Sequence, residues 1–292
     1  MTEQKIQVVG VAGAGTMGAG IAQATALGGY DVILYDLSDD ILEKATDHIR
    51  VSIDKGVRLG KVQPEVARRA QEAFRRTTRL RELASADLVI EAVPEDLDLK
   101  RELFARLDAM ASPQTILASN TSSLSINALA GATDRPHQFL GLHFFNPAHI
   151  MKLVEIIRAE DTSEETVSAA AKYVERLGKR AVYCKDTPGF IVNRVARPFY
   201  GEAFRLLGEG AADVEAIDEL MASVGFRMGP FRLVDLIGCD VNFAVSQTVY
   251  EAYFHDPKYR PHPLQRRMVQ SGRLGRKSGR GFYDYGGQSA EE

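Results

Sequence analysis

The sequence predicts an α/β protein whose N-terminal part is a doubly wound parallel sheet and whose C-terminal domain is all-α. Three observations carry this expectation. Apolar, β-branched runs alternate with helical stretches as far as residue 145. A glycine-punctuated turn joins the first run to the first helix. Beyond residue 187 only helical spacing recurs, so the domains are drawn as 1–186 and 187–292.

The first element is the run in "KIQVVGVAGAG", a strand that ends in glycines. Gly13, Gly15 and Gly18 fit the pattern G-x-G-x-x-G and are followed by the Ala-rich helical stretch "AGIAQATAL". In a Rossmann-type unit the first glycine permits the tight turn and the second lets the backbone approach a pyrophosphate. The third brings the helix close to the strand, and the helix N-terminus faces the phosphates. Thr16 and Met17 lie inside this turn and share its cofactor-binding expectation. The next strand ends at Asp36, 23 positions after Gly13. A carboxylate there accepts from the ribose 2′-OH of NAD and would repel the 2′-phosphate of NADP, so NAD is the expected cofactor. The alternative is a glycine-rich surface turn beside an ordinary strand.

The alternation continues through a strand in 86–96, an amphipathic helix over 97–110, a short strand in 115–120 and another in 137–145. Ligands of such sheets gather beyond the C-terminal strand ends. Glu95, Ser122 and His143 all stand at or just after such ends. Between the second and third strands, residues 50–81 carry ten Lys or Arg against three acids and are broken by Gly60 and Pro64. They are read as a basic helical hairpin. It is either a solvated helix pair or a clamp for a polyanionic handle such as the phosphates of coenzyme A.

"GLHFFNPAHIMKLVEII", residues 141–157, places His143 and Glu155 in an apolar run. Burying a polar group without a partner costs roughly 2–7 kcal/mol, and a charge more. A turn at Asn146-Pro147 could double the chain back and set the two face to face. They would then be either a structural ion pair or a general base with its orienting carboxylate. His149 is the rival histidine, but it lies past the proline.

Bulk properties restrict the function classes. The chain of 292 residues has a formal net charge of −3, which argues against a general nucleic-acid binder. The N-terminus turns polar or glycine-rich too soon for a signal-peptide apolar region, and no stretch approaches the roughly 18–20 apolar residues of a membrane span. A cytoplasmic protein with no membrane partner is expected. Cys184 and Cys239 lie far apart, and no His/Asp/Glu cluster has ligand spacing, so neither a disulfide framework nor a metal site is expected.

"SNTSSLSI" (119–126), the 141–157 run, "KDTPGFIVNR" (185–194), "GFRMGPFRLVDLIGCD" (225–240) and "GRKSGRGFYDY" (275–285) together resemble the L-3-hydroxyacyl-CoA dehydrogenase family. The short bacterial 3-hydroxybutyryl-CoA dehydrogenases are most alike. The resemblance runs in order from about residue 5 to residue 285. It implies NAD-dependent, reversible oxidation of an L-3-hydroxyacyl-CoA to the 3-oxoacyl-CoA, without a metal. It also implies that His143 is the catalytic base, Glu155 its orienting partner, and Ser122 and Asn193 substrate contacts. Asp36 matches the ribose carboxylate, and Glu95, Lys100, Asn146 and Lys277 match cofactor contacts. Ser52 matches a coenzyme A contact. The family's next basic contact is assigned to Lys55, because Leu59 stands where an apparent counterpart has lysine. Ser122 could alternatively cap the helix that begins at "LSINALA".

In the C-terminal domain a helix is expected from Pro188, with apolar residues at Ile191, Val195, Phe199 and Leu206, bent by Pro198. Asn193 is expected on one side of an interdomain cleft and His143 on the other. The domain's apolar surface suggests a partner chain, and the resemblance implies a homodimer formed through it. Two other readings compete: a dehydrogenase of this fold acting on a free hydroxy or sugar acid, and a catalytically silent, crystallin-like NAD-binding protein.

Overall fold

The computed structural model describes residues 5–286. The first four residues, part of the reading of the N-terminus, lie outside the described residues. The chain divides into two compact units, Met1–Thr187 and Pro188–Glu292.

The first unit is built on an eight-stranded sheet. Its strands are β1 (Val8–Ala12), β2 (Asp31–Tyr35), β3 (Phe74–Thr77), β4 (Leu88–Glu91), β5 (Ile116–Ser119), β6 (Phe139–Phe144), β7 (Leu153–Arg158) and β8 (Arg180–Lys185). Their order is β3-β2-β1-β4-β5-β6-β7-β8. The six strands from β3 to β6 are parallel, β7 runs antiparallel to β6, and β8 runs parallel to β7. The central strands β4, β5 and β6 are buried along their whole length, which explains their nearly unbroken apolar sequences.

Helices α1 (Thr16–Leu27), α2 (Asp39–Arg58), α3 (Pro64–Glu72), α4 (Leu97–Met110), α5 (Ile126–Ala130) and α6 (Glu164–Arg176) accompany the sheet. Asp96 caps α4 by accepting from the Leu99 N–H at 2.9 Å, and Ser163 caps α6 through the Thr166 N–H. The strand order reverses between β1 and β4, which places the switch point of the sheet at the glycine turn.

Three expectations need correction. Residues 50–81 are not a helical hairpin throughout: α2 already begins at Asp39, α3 ends at Glu72, and Phe74–Thr77 form an edge strand beside β2. Four residues with one buried Thr and two exposed Arg suffice for an edge, where only one side must pair. Glycine and proline thus separate two helices of unequal length. The helix expected from Pro188 begins at Val192, after a turn containing Gly189 and Phe190 at positive φ. Ser125, not Ser122, caps α5, accepting from the Ala128 N–H at 3.2 Å.

The second unit contains α7 (Val192–Gly208), α8 (Val214–Ser223), α9 (Pro230–Ile237), α10 (Cys239–Ala252) and α11 (Pro263–Gln270). Pro198 lies inside α7 as expected. Gly238, at φ +104°, separates α9 from α10, a geometry that a side chain would strain. A core forms around Tyr200, Phe204, Phe231 and Val234. Asp218 and Asp235 are buried beside it. Asp218 accepts from the Phe231 and Arg232 N–H groups at the start of α9 and from the Tyr283 hydroxyl. Asp235 accepts from the N–H groups of Phe282 and Tyr283, which pins the "GRGFYDY" segment. Leu220, Val224, Phe226, Leu236, Ile237 and Val241 are exposed on this unit.

The closeness of α1 to β1 depends on Gly18, where an added Cβ would sit on the Gly13 carbonyl oxygen. At Gly15 it would meet nothing within 4 Å. Gly18→Ala is therefore expected to destabilise the protein by about 1–3 kcal/mol or more through overpacking, while Gly15→Ala melts close to wild type. Thermal melts of the two variants check this, and equal melting temperatures would refute it.

Candidate active site

The glycine turn is held by both neighbouring strands. Gly13 adopts φ +103°, and an added Cβ there would lie 2.6 Å from the Ala92 carbonyl oxygen at the end of β4. Its N–H donates to the Tyr35 carbonyl at 2.8 Å. The Ala14 N–H donates to Asp36 Oδ2 at 2.7 Å, and the Leu37 N–H donates to Oδ1 at 2.7 Å. Asp36 thus fixes the turn while each of its oxygens retains acceptor capacity for a hydroxyl. Thr16 and Met17 form the first turn of α1, whose N–H groups have no intrahelical acceptor. Together, a close-approach glycine, a helix N-terminus and a carboxylate at the end of β2 fit a dinucleotide.

Beside the turn is a cavity of about 460 Å³. Gly15, Thr16, Lys44, His48, Asn146 and His149 are among its lining residues. A larger cavity, about 790 Å³, lies between the N-terminal ends of β4, β5 and β6, at the edge of the sheet opposite the glycine turn. The smaller one is better placed for chemistry, since ligands of open α/β sheets bind beyond the C-terminal strand ends.

His143 and Glu155 meet as the sequence suggested. They are register partners in the antiparallel β6–β7 pair, with the turn at Asn146-Pro147 falling between the strands. His143 Nδ1 lies 2.7 Å from Glu155 Oε2. The residues are 5% and 1% exposed. A carboxylate accepts, so the neutral imidazole places its proton on Nδ1 and its basic lone pair on Nε2. The Phe145 ring lies 4.5 Å from the imidazole.

Ser122 belongs to a turn gathered around one carboxylate oxygen. Glu95 Oε1 accepts from Thr121 Oγ1 at 2.6 Å, from the Ser122 N–H at 3.0 Å and from Ser123 Oγ at 3.1 Å. Burial works to raise the Glu95 pKa, but the Lys100 charge and these hydrogen bonds outweigh it and hold the carboxyl below its ordinary value. Lys100 is itself buried, with its ammonium 3.2 Å from Glu95 Oε2 and 2.5 Å from Glu91 Oε1. Glu91 was not singled out from the sequence. The signal was present, because "DLVIEAV" places a carboxylate in an apolar strand just as the 141–157 run places His143. Asn120, also missed, accepts from the Phe144 N–H at 2.9 Å and ties the end of β5 to that of β6.

Ser52, on α2, accepts from Gln23 Nε2 at 2.9 Å and lies 3.5 Å from His149 Nε2. Lys44, His48, Ser52 and Lys55 recur at helical spacing along α2. Among the described residues Lys55, Arg58 and Lys61 make no ion pair, whereas Arg68 is bound by Glu65 and Glu72. In the second unit Asn193 lies in the first turn of α7, and Lys277 pairs with Asp240 at 2.7 Å. No group of three or more potential metal ligands gathers among the described residues, and no described helix is long and apolar enough to cross a membrane.

A doubly wound sheet with a phosphate-type glycine turn at its switch point and a buried His–carboxylate pair at the same edge defines a nucleotide-dependent dehydrogenase. Residues 8–187 match the model of the 3-hydroxyacyl-CoA dehydrogenase NAD-binding domain, and residues 189–285 match that of the family's C-terminal domain. The chain belongs to the 3-hydroxyacyl-CoA dehydrogenase family. It is 44% identical over 277 residues to a probable 3-hydroxybutyryl-CoA dehydrogenase of Deinococcus radiodurans, covering 94% of this chain and 99% of that one. It is 47% identical over 281 residues to the 3-hydroxyadipyl-CoA dehydrogenase of Escherichia coli, covering 96% of this chain but 59% of that protein. The crystal structure of (S)-3-hydroxybutyryl-CoA dehydrogenase from Ralstonia eutropha superposes with a TM-score of 0.92 at 43% identity, covering 96% and 99% of the two chains.

Desolvation, with His48 and Lys179 adding like charge, holds the His149 pKa below its ordinary value. A histidine depressed in the folded state contributes stability above its unfolded pKa of about 6.5, and that stability is lost as pH falls below it. The melting temperature is expected to fall between pH 7 and pH 5, and His149→Gln should remove part of that fall. An unchanged slope in the variant, measured by calorimetry, would refute the assignment.

Proposed function

We propose that the protein catalyses the reversible, NAD-dependent oxidation of a short-chain L-3-hydroxyacyl-CoA, such as 3-hydroxybutyryl-CoA, to the 3-oxoacyl-CoA. The buried His143–Glu155 pair at the nucleotide edge of the sheet is the observation that carries this reading. NAD, when bound, supplies the hydride acceptor. His143 Nε2 takes the proton of the 3-hydroxyl as hydride leaves C3, and it returns that proton to the 3-oxygen in the reverse direction. Glu155 holds the reactive tautomer and stabilises the imidazolium that forms.

Ser122 and Asn193 hydrogen-bond the 3-oxygen and the thioester carbonyl, and such alignment contributes several kcal/mol. Gly13, Gly15, Thr16, Met17 and Gly18 receive the pyrophosphate, and Asp36 receives the adenosine ribose. Glu95, Lys100, Asn146 and Lys277 complete the cofactor site, with Lys100 acting beneath Glu95. Ser52 and Lys55 meet coenzyme A, and the unpaired cations on α2 and its following turn favour its phosphates. The protein works as a soluble homodimer through the exposed apolar residues of the second unit, and its setting is the cytoplasm. A monomer at micromolar concentration in sedimentation equilibrium would refute the dimer.

The decisive experiment follows NADH oxidation with acetoacetyl-CoA, beside free acetoacetate and with NADPH as the alternative donor. Turnover is expected with NADH and the thioester, with NADPH strongly disfavoured by Asp36. Activity on free acids alone would assign a different dehydrogenase, and no activity would leave a silent nucleotide-binding protein. His143→Gln is expected to lower kcat by about 10²–10⁴ while NADH still binds; a wild-type kcat in this variant would remove His143 from the chemistry.

A further inference from the structure

We infer that Glu91 is a positioning residue that holds Ser122 in place through Lys100 and Glu95, without itself facing substrate. The inference rests on the proposed contact between Ser122 and substrate. Glu91 ends β4, is paired in register with Ser119 of β5, and is fully buried. Its Oε1 accepts from Lys100 Nζ at 2.5 Å and from the Val93 N–H at 2.7 Å, and its Oε2 accepts from Ser119 Oγ at 2.6 Å. Lys100 reaches this site from the first turn of α4 and is 1% exposed.

An ammonium has three donors, and three acceptors surround this one: Glu91 Oε1, the Val93 carbonyl at 3.2 Å and Glu95 Oε2 at 3.2 Å. Two of the three belong to the end of β4 and the residues just after it, so the third direction is fixed towards Glu95. Glu95 is the least buried member, with its side chain 37% exposed, and it would otherwise be able to swing. Held by Lys100 at one oxygen, it presents the other to Thr121, Ser122 and Ser123. A continuous chain therefore runs from Ser119 through Glu91, Lys100 and Glu95 to Ser122.

As a source of stability this arrangement is a poor choice, because a buried ion pair loses in desolvation much of what it gains in attraction, and apolar side chains could join α4 to the sheet as well. Apolar packing lacks directional bonds, however, and could not set the orientation of two loops at once. The network spans the loop after β4 and the loop after β5, the two segments that carry Glu95 and Ser122. Burial raises the Glu91 pKa despite the opposing Lys100 charge and the Ser119 and Val93 bonds, which is the desolvation cost of holding this group in the sheet.

The test is a double-mutant cycle between Glu91→Gln and Ser122→Ala, with kcat and KM read for NADH and acetoacetyl-CoA and a thermal melt of each variant. Glu91→Gln is expected to lower kcat, read at saturating NADH, by about ten- to a hundredfold, the scale of a displacement near 1 Å, with the KM for NADH raised as well because Lys100 and Glu95 belong to the proposed cofactor site. In the Ser122→Ala background the same substitution should lower kcat by less than about threefold, because the residue it positions is gone. If Glu91→Gln does not fold, Glu91→Asp, which keeps the charge but shortens the reach to Lys100, should reduce kcat in the same direction and with the same dependence on Ser122. A lowered melting temperature with wild-type kcat in both variants would overturn the inference, as would a full loss that persists in the Ser122→Ala background. Wild-type kcat in Ser122→Ala alone would remove the proposed role of Ser122, and the inference with it.

Discussion

The antiparallel pairing of β6 with β7 is the constraint on which the site depends. In a parallel sheet a strand's neighbours come from distant parts of the chain, and register follows from how the crossovers pack. Here a connection of eight residues, 145–152, joins β6 to β7, and that register sets His143 directly opposite Glu155. A slip of one residue would turn every side chain of β7 to the other face of the sheet, leaving an imidazole and a carboxylate buried and unpaired. The cost of that alternative, several kcal/mol for each group, makes the pair a device that fixes the register. The departure from parallel order thus occurs where two side chains must meet across a short distance.

The same economy governs the other polar groups of the sheet. Glu91, Ser119 and Thr121 are buried at or near the ends of β4 and β5, and each finds its partner within the first unit. Asp36 fixes the glycine turn from the end of β2. All of these groups lie at the C-terminal edge of the strands, where the parallel sheet opens into loops and backbone N–H groups remain available. Directional bonds are concentrated at that edge, while the sheet interior below it is apolar. Loops are ordinarily the mobile part of a fold, and here the loops after β1, β4 and β5 are tied to strand ends by a half-buried or buried carboxylate or hydroxyl.

Much of this was legible in the sequence. The glycine spacing, Asp36 and the alternation of elements each have a short-range physical cause, and the structure reproduces the turn, the strands and helix 97–110 from them. The His143–Glu155 pair was legible because burial of unpaired charge is costly, so two polar residues in an apolar run imply each other. Applied consistently, that reasoning would also have found Glu91. What remained hidden depends on tertiary context. Phe74–Thr77 has too few residues to declare a strand, and becomes one because β2 offers an open edge. The cap of α5 falls to Ser125 instead of Ser122 because Glu95 engages the Thr121–Ser123 turn from 26 to 28 residues away, a competition no local rule contains.

The second unit follows a different logic with a comparable result. Arg197, one turn beyond Asn193 on α7, is buried without an acidic partner among the described residues, and desolvation lowers its pKa to about 10. Its guanidinium donates to the carbonyl oxygens of Asn193 and Asn242 and to Ser246 Oγ, so α7 is bonded to α10 at the turn that carries Asn193. Gln265 adds a bond from α11 to Asn242 Oδ1 at 2.8 Å. An arginine suits this task because its planar fork reaches three acceptors at once, which a lysine on a flexible stem does not do with fixed geometry. Carbonyl dipoles and a hydroxyl, rather than a counter-charge, stabilise the cation, which leaves the start of α7 with net positive character.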